Sequence, residues 1–264
     1  MDLPLFLVDA FTDRLFGGNP AAICPLEKWL DDDLMQTIAA ENNLSETAFF
    51  VKTGKGYALR WFTPKVEVDL CGHATLATAF VLSLDPDTAA VTYHFQTNSG
   101  ELTVTQERDW FTLDFPARPL ETPDNTDALV SKVADICGAR PVNLATSAGN
   151  CLAELENEAI VRSITPEPAR VMTLDFKGLI VTARGADCDF VSRFFAPRVG
   201  INEDPVTGSI YCSLIPYWHR ITGKPEFTAR QVSARGGDLR CRYAGERVAM
   251  SGQAVLFSRG VISL

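Results

Sequence analysis

A ten-residue stretch occurs twice in this chain of 264 residues, as RWFTPKVEVD at residues 60–69 and as RFFAPRVGIN at residues 193–202. Four of the ten aligned positions are identical, and the copies lie 133 residues apart, which is close to half the length of the chain. A match of this length at this offset indicates an internal duplication, which typically gives structurally related units.

Two shorter matches flank this stretch in the same order along the chain. Gly18-Asn19 recurs at residues 149–150, and Gly72-His73 aligns with Gly208-Ser209. Their offsets of 131 and 136 residues are nearly the same as that of the longer match. We therefore predict two lobes of similar architecture, and ligands often bind in clefts between such lobes.

The boundary between the lobes is predicted from a change in composition. Residues 115–125 contain three prolines, which disfavour continued helix or sheet. We place the first lobe at residues 1–116 and the second lobe at residues 124–251.

Apolar periodicity predicts short strands that alternate irregularly with a few helices. The predicted helices cover residues 31–42, 72–84, 127–137 and 205–219, and those that start at 72 and 205 are apolar enough to be buried. The predicted strands cover residues 5–10, 47–52, 57–63, three segments within 91–115, 179–183, 190–195, 227–234, 239–243 and 254–258. This mixture predicts an α+β fold and not a doubly wound parallel sheet.

Composition and charge narrow the class of protein and of partner. The 33 acidic and 24 basic residues give a formal charge of −9, which argues against nucleic acid or an anionic membrane as a partner. The chain has no 18-residue apolar run typical of a transmembrane helix, and its first residues lack the basic start of a signal peptide. Seven widely spaced cysteines without a Cys-x-x-Cys pair predict reduced thiols in the cytoplasm, with neither a disulfide framework nor a metal site.

Both matched regions end in a turn that is predicted to open a buried helix. In the second lobe, Asp204 fits the N-cap position and Pro205 fits the first helical turn. A helix N-terminus presents free backbone N–H groups and a partial positive charge. The two openings at Gly72 and Gly208 therefore predict a site for a small carboxylate, even in an acidic protein.

Three side chains near the first opening are candidates for proton transfer. His73 occupies the opening itself, and Glu46 precedes a very apolar predicted strand, where desolvation favours the neutral acid. The local sequence alone leaves Glu46 open between a proton carrier and a solvated glutamate. Cys71 precedes the helix, where thiolates are stabilised. A racemase with two thiol bases needs a second cysteine at the matched position, and Thr207 stands there.

Five ordered motifs, spread over almost the whole chain, resemble the phenazine-biosynthesis PhzF family. They are GNPAA at residues 18–22, SETAF at 45–49, RWFTP at 60–64, CGHAT at 71–75 and DPVTGS at 204–209. The resemblance implies a diaminopimelate epimerase-like fold with two similar lobes, each a curved, mostly antiparallel sheet around a central helix. It also implies an active site between the lobes and a C-terminal strand, within residues 252–264, that returns to the first lobe.

The resemblance further implies roles for individual residues. The founding enzyme of the family isomerises trans-2,3-dihydro-3-hydroxyanthranilate without a cofactor, through a glutamate that moves a proton on the ring. That glutamate matches Glu46, and its supporting residues match His73, Asp204 and Ser209. We expect the substrate site to be lined by Asn19, Cys71, Gly72, Thr207 and Gly208.

The sequence therefore predicts a cytoplasmic, biosynthetic isomerase that acts on a small cyclic or amino carboxylate without a cofactor or metal. The resemblance implies a homodimer. One alternative is a racemase or epimerase that uses Cys71 with a second base other than a thiol. The other is a protein that binds a small carboxylate and has lost catalysis.

Overall fold

The internal duplication of the sequence corresponds to two copies of one arrangement of strands and helices. The computed structural model describes residues 1–124 and 126–264. Two compact units make up the chain, the first from Met1–Asp114 with Met250–Leu264 and the second from Phe115–Ala249.

The first unit consists mainly of strands around one buried helix. Its helices are α1 (Asp32–Asn42) and α2 (Gly72–Ser83), and nine of the twelve residues of α2 are buried. Its strands are β1 (Asp2–Ala10), β2 (Asn19–Leu26), β3 (Glu46–Thr53), β4 (Gly56–Phe62), β5 (Glu67–Val68), β6 (Thr92–Thr97), β7 (Gly100–Glu107), β8 (Trp110–Pro116) and the C-terminal β17 (Ala254–Ser263).

The second unit also consists mainly of strands around one buried helix, with additional short helices. Its helices are α3 (Thr126–Cys137), α4 (Glu158–Ser163), α5 (Pro168–Val171) and the buried α6 (Gly208–Thr222), with a short 3-10 helix at Pro197–Val199. Its strands are β9 (Asn143–Ser147), β10 (Asn150–Glu154), β11 (Leu179–Arg184), β12 (Phe190–Ala196), β13 (Ile201–Asp204), β14 (Glu226–Gln231), β15 (Gly237–Ala244) and β16 (Arg247–Gly252).

Strand pairing follows the same order in both units. In the first, β2 is parallel to β3, β3 antiparallel to β4, β4 antiparallel to β5 and parallel to β6, and β6 antiparallel to β7. In the second, β10 is parallel to β11, β11 antiparallel to β12, β12 antiparallel to β13 and parallel to β14, and β14 antiparallel to β15. The repeated stretch of sequence begins within β4 in one unit and within β12 in the other.

One ion pair is repeated at this matched position. Arg60 of β4 holds Glu67 through two hydrogen bonds of 2.7 Å each. Arg193 of β12 holds Glu203 in the same two-point manner, at 2.7 and 2.9 Å. Paired bonds of this kind fix both side chains, so each clamps a strand to the short strand that precedes its central helix.

The C-terminal strand completes the first unit. β17 pairs antiparallel with β1 along its length, from Asp2 opposite Ser263 to Ala10 opposite Ala254. The predicted strand at residues 254–258 therefore continues to Ser263. In the described part of the chain, no helix has the length and apolar character that crossing a membrane requires.

The prediction for the start of the second buried helix was wrong. The helix begins at Gly208 and not at residue 205, and Thr207 occupies the N-cap position that we assigned to Asp204. The reason is that Asp204 pairs with Phe194 as the last residue of β13, which places Pro205 in the connecting turn. Strand β14 also ends at Gln231, earlier than the predicted residue 234.

Candidate active site

Glu46 and His73 come together where a strand and the buried helix of the first unit begin. Glu46 is the first residue of β3, and His73 is the second residue of α2. The Oε2 atom of Glu46 lies 3.2 Å from the Nε2 atom of His73. Their side chains are 13% and 5% exposed, so solvent screens this contact little. A carboxyl group is thus held beside an imidazole in a largely dry environment.

His73 is a neutral imidazole in this environment. Burial lowers the pKa of His73 from its ordinary 6.5 to about 3. The cause is desolvation, which penalises the charged imidazolium. At neutral pH the contact with Glu46 is therefore one between a neutral ring and a carboxyl group.

The other ring nitrogen of His73 has two neighbours in the same unit. The Nδ2 atom of Asn19 lies 3.3 Å from Nδ1, and the Sγ atom of Cys71 lies 3.5 Å from it. The Asn19 side chain is completely buried, and Cys71 is 6% exposed. Protein groups thus lie within 3.5 Å of both ring nitrogens of His73.

Gly18 allows the backbone turn that places Asn19 at the start of β2. Gly18 has φ +60°, and a Cβ atom there would lie 2.0 Å from the carbonyl oxygen of Ala10. Only glycine fits so close an approach of two backbone segments. Directly afterwards β2 begins with Asn19, which pairs with Ala10 in β1. The backbone on both sides therefore fixes where the Asn19 amide points.

At the start of α2, a side-chain hydrogen bond joins Thr75 to the backbone of Cys71. The hydroxyl of Thr75 donates to the carbonyl oxygen of Cys71 at 2.5 Å, beside the first helical N–H bond to that oxygen. Cys71 has extended backbone angles and makes no capping bond with its side chain. Gly72, the first residue of the helix, is half-buried.

Glu46, Cys71 and His73 also form a group of metal-ligand types. One donor atom from each lies within 4.8 Å of the others. However, Glu46 approaches Nε2 of His73 while Cys71 approaches Nδ1. The two side chains therefore approach the imidazole from its two different nitrogens.

The corresponding turn in the second unit holds Asp204 and Thr207 in a buried network. The Thr207 hydroxyl donates to Oδ2 of Asp204 at 2.5 Å. Gln231 accepts from the backbone N–H of Thr207 at 2.9 Å and donates to the backbone oxygen of Asp204 at 2.7 Å. Gly208 is buried as the first residue of α6, and Ser209 follows it with an exposed side chain.

Gln231 is a residue of this network that the sequence reasoning missed. It is completely buried at the end of β14, in an alternating series with the buried Phe227 and Ala229. The signal was present in the sequence, because a glutamine at an inward-facing strand position needs buried hydrogen-bond partners.

The structure thus gathers the predicted residues into two groups. In the first unit, His73 is contacted by Glu46, Cys71 and Asn19. Asp204 and Thr207 are bonded to each other in the second unit, with Gly208 and Ser209 next in the chain. The roles in catalysis and substrate binding that we assigned to these residues, and to Gly72, stay predictions.

Comparison with known proteins identifies the group to which this chain is related. The family described as "Phenazine biosynthesis-like protein" (PhzC-PhzF) matches residues 8–260. The chain belongs to this PhzC-PhzF family. The resemblance noted from the five motifs is therefore confirmed.

Individual relatives within the PhzC-PhzF family agree over their full length. An uncharacterized isomerase of Pseudomonas aeruginosa is 50% identical over 264 residues, which is 100% of both chains. A crystal structure of a PhzF-family phenazine biosynthesis protein from Enterococcus faecalis has a TM-score of 0.96 at 46% identity, with 100% of each chain covered. These relatives make the chain an enzyme of an isomerase family.

The fold alone extends to more distant proteins. A predicted epimerase from Pseudomonas aeruginosa is 18% identical, with a TM-score of 0.75, and the match covers 98% of this chain and 99% of that one. The predicted α+β fold of the diaminopimelate epimerase-like class is confirmed.

Proposed function

We propose that this protein is a cofactor-independent isomerase of a small cyclic or amino carboxylate, with Glu46 as the proton carrier. The observation that carries the proposal is the buried contact between the Glu46 carboxyl group and the neutral His73 ring. A carboxyl group in a desolvated site exchanges a proton at neutral pH more readily than one in water. The reaction needs no other acid or base if the same group takes and returns the proton.

The proposed chemistry balances within the substrate. The Glu46 carboxylate takes a proton from one carbon, whose C–H electron pair shifts into the conjugated system. The carboxylic acid so formed then returns the proton to a second carbon of the same system. No electrons leave the substrate, and Glu46 ends as it began. His73 lies beside the carboxyl group and stays neutral throughout, so Glu46 is the only one of the two groups whose charge changes.

The helix starts at Gly72 and Gly208 are the proposed binding positions for anionic groups of the substrate. Both helices begin without a side-chain capping bond, which is consistent with an anion taking that role. Asp204 and Ser209 would then contact polar groups on the substrate. Motif matches to the PhzC-PhzF family support these assignments.

A racemase based on Cys71 has less support from the geometry. The Sγ atom of Cys71 faces Nδ1 of His73 at 3.5 Å, which is the arrangement of a thiol activated by a histidine. A histidine with a pKa of about 3 is too weak a base to take the thiol proton. His73 therefore does not activate the Cys71 thiol as a base, and we assign the proton transfer to Glu46.

The test is solvent-deuterium incorporation by the purified protein. The wild type is incubated in D2O with trans-2,3-dihydro-3-hydroxyanthranilate and a panel of cyclic amino acids, and products are analysed by mass spectrometry and NMR. We expect deuterium at carbon together with an isomer of unchanged formula. Thermal stabilisation by a compound, with neither exchange nor product, would favour the binding protein. Inversion at one carbon that is lost in Cys71→Ala would favour the racemase.

We also propose that the enzyme is a homodimer, which rests on the resemblance to the family. Light scattering on the purified full chain should give about twice the 28.9 kDa of one chain. A mass equal to one chain at micromolar concentration would contradict this proposal.

A further inference from the structure

We propose that the second unit carries a small-molecule site of its own, a cationic cavity that binds an aromatic carboxylate. The cavity has a volume of about 810 Å³, and its lining residues run from Pro116 to Arg247, all within the second unit. Small-molecule sites in proteins commonly have volumes of this order. The proposal does not depend on the role of Glu46, which lies in the first unit.

Three arginines from three different segments converge on this cavity. Arg118 follows β8, Arg220 lies in the last turn of α6, and Arg247 begins β16. Among the described residues that line the cavity, only Glu246 is acidic. Three arginines against one glutamate leave an excess of two positive charges, in a chain whose formal charge is −9. Such a local concentration of positive charge attracts small anions.

Two of these arginines have no carboxylate partner. In the part of the chain that the structure describes, neither Arg118 nor Arg220 forms an ion pair. By contrast, Arg193 and Arg230 of the same unit each hold a carboxylate. Arg220 is exposed, with its guanidinium group 5.6 Å from the centre of the Tyr217 ring. A guanidinium group presents paired N–H donors that match a carboxylate, so an external carboxylate can take the place that a side-chain carboxylate takes at Arg193.

A proline inside α6 fixes the position of Arg118. Pro216 lacks the N–H group that would bond to the carbonyl oxygen of Cys212, four residues earlier in the helix. The backbone N–H of Arg118 donates to that oxygen instead, at 2.9 Å. The bond that the helix loses at Pro216 therefore anchors the segment that carries Arg118 against α6.

The same segment is joined to the turn that precedes Arg247. The backbone N–H of Ala117 donates to the backbone oxygen of Glu246 at 2.8 Å. Burial raises the pKa of the Cys212 thiol to about 11, and the charges of Arg118 and Arg247 act against this rise. Both guanidinium groups therefore lie near the same buried thiol, and the cationic side of the cavity is formed by the protein alone.

The cavity also has an apolar wall that suits a flat ring. The ring centres of His219 and Tyr243 lie 4.5 Å apart, and both residues line the cavity together with Pro216. The Nδ1 atom of His219 donates to the backbone oxygen of Lys224 at 2.8 Å, which fixes the imidazole. Aromatic rings pack well against such surfaces. Guanidinium groups beside this wall fit an aromatic carboxylate better than an anion without a ring.

The test is isothermal titration calorimetry of the full chain with benzoate, acetate and benzyl alcohol. Acetate keeps the carboxylate without the ring, and benzyl alcohol keeps the ring without the charge. We expect benzoate to bind at least about tenfold more tightly than either, with an affinity that falls as salt is added. Absence of benzoate binding at millimolar concentration, or equal affinities for benzoate and acetate, would overturn the proposal.

Substitutions in the lining locate the bound benzoate. We expect Arg118→Gln and Arg220→Gln each to weaken benzoate binding by at least about fivefold. Arg184→Gln is the matched control and should bind as the wild type does, because Arg184 is an exposed arginine over the Trp218 ring of α6 that does not line the cavity. Arg220 is exposed, so its variant keeps the test valid even if Arg118→Gln does not fold. Wild-type affinity in Arg220→Gln would place the benzoate elsewhere and overturn the proposal.

Light scattering separates a small anion from a second chain at this surface. We expect Arg220→Gln and the wild type to have the same mass in solution. A smaller mass in Arg220→Gln would show that a second copy of the chain meets this arginine, and would overturn the proposal. The deuterium assay tests the function proposed for Glu46 separately, and a failure there leaves the prediction for benzoate binding unchanged.

Discussion

The two units begin their buried helices in the same way but place different chemistry there. In the first unit, the residue pair Cys71 and His73 meets a carboxyl group at the start of β3. In the second unit, Thr207 and Ser209 stand at the matched positions, and residues 178–180 at the start of β11 carry no carboxyl group. The duplication preserved the backbone frame and let the side chains at its helix starts diverge.

The features that the two units share are structural, whereas the features that differ are reactive side chains. The parallel strand pair, the left-handed glycine and the Arg–Glu pair recur because the frame itself needs them. At the matched helix starts, the acid, the imidazole and the thiol occur in the first unit only. The proposed proton carrier, Glu46, therefore lies in the first unit.

Replacing the arginine of an Arg–Glu pair gives the largest expected effect on stability. It tests whether the two units depend equally on their Arg–Glu pair. Arg193 also donates to the backbone oxygens of Val161, Arg162 and Ile164, and its side chain is 9% exposed. Replacement by methionine leaves these acceptors and the Glu203 carboxylate without their donor. We expect Arg193→Met to lower the free energy of unfolding by about 3–5 kcal/mol in urea denaturation.

Arg60→Met is the matched variant in the first unit. Arg60 is more exposed, at 19%, and the third partner of its guanidinium is the exposed carboxylate of Asp32. We expect it to cost only about 1–2 kcal/mol, because water replaces part of what is lost. Equal losses of unfolding free energy in the two variants would contradict our expectation that Arg193 stabilises its unit more than Arg60 does.

Asp204→Asn tests the substrate contact that we propose for Asp204. Asp204→Asn keeps the shape and the bond to Thr207 but removes the charge, so exchange at saturating substrate should fall by about 10²-fold, or about 2.7 kcal/mol. The matched control is Asp238→Asn, which alters a surface ion pair with Arg230. Full activity in Asp204→Asn would show that the second unit contributes no charged group to catalysis.

The buried His73 makes stability depend on pH in a predictable direction. Its pKa is about 3 in the folded state and about 6.5 when unfolded, so the unfolded chain binds a proton that the folded chain does not. The contribution of His73 is therefore present above pH 6.5 and is lost as the pH falls toward 3. Between pH 7 and pH 5 this should cost about 2 kcal/mol.

Urea denaturation of His73→Gln across this pH range measures that loss. The variant has no imidazole to protonate, so its stability should fall less between pH 7 and pH 5 than that of the wild type. His94→Gln, at an exposed position, is the control and should keep the wild-type slope. Identical slopes in wild type and His73→Gln would show that His73 is not buried in its neutral form.

Cys71 should give the smallest effect and tests whether the first unit has one proton carrier or two. Its thiol shares Nδ1 of His73 with the Asn19 amide, so Asn19 keeps the ring in place when the thiol is removed. We expect Cys71→Ala to change the exchange rate by less than about threefold, with the half-buried Cys188→Ala as control. A loss of more than about 10²-fold would support the racemase.

Much of the frame could be predicted from the sequence because its signals are local. Helix α1 follows from its acidic first turn and apolar face, and Asp31 caps it by accepting from the N–H of Asp33. The breaks between β6, β7 and β8 follow from the turn residues at 99–100 and 108–109. β2 and β10 were missed, since β2 contains two prolines and β10 has only five residues.

The contacts of the site could not be predicted because they join residues far apart in the sequence. Motifs indicated Glu46 and His73, but local sequence left Glu46 open as a solvated residue. The Asn19 bond to His73 spans 54 positions and depends on how β2 lies beside α2. The helix start at Gly208 was misplaced because Pro205 fits a first turn locally, whereas β13 extends through Asp204.

The claim that the first unit carries the proton is tested most directly by comparing two Glu–His pairs in the deuterium assay. Glu46 contacts the buried His73, and Glu101 contacts the exposed His94 at 3.0 Å. We predict that Glu46→Gln lowers the exchange rate by at least about 10³-fold, while Glu101→Gln stays within about twofold of the wild type. Exchange at the wild-type rate in Glu46→Gln would contradict the account.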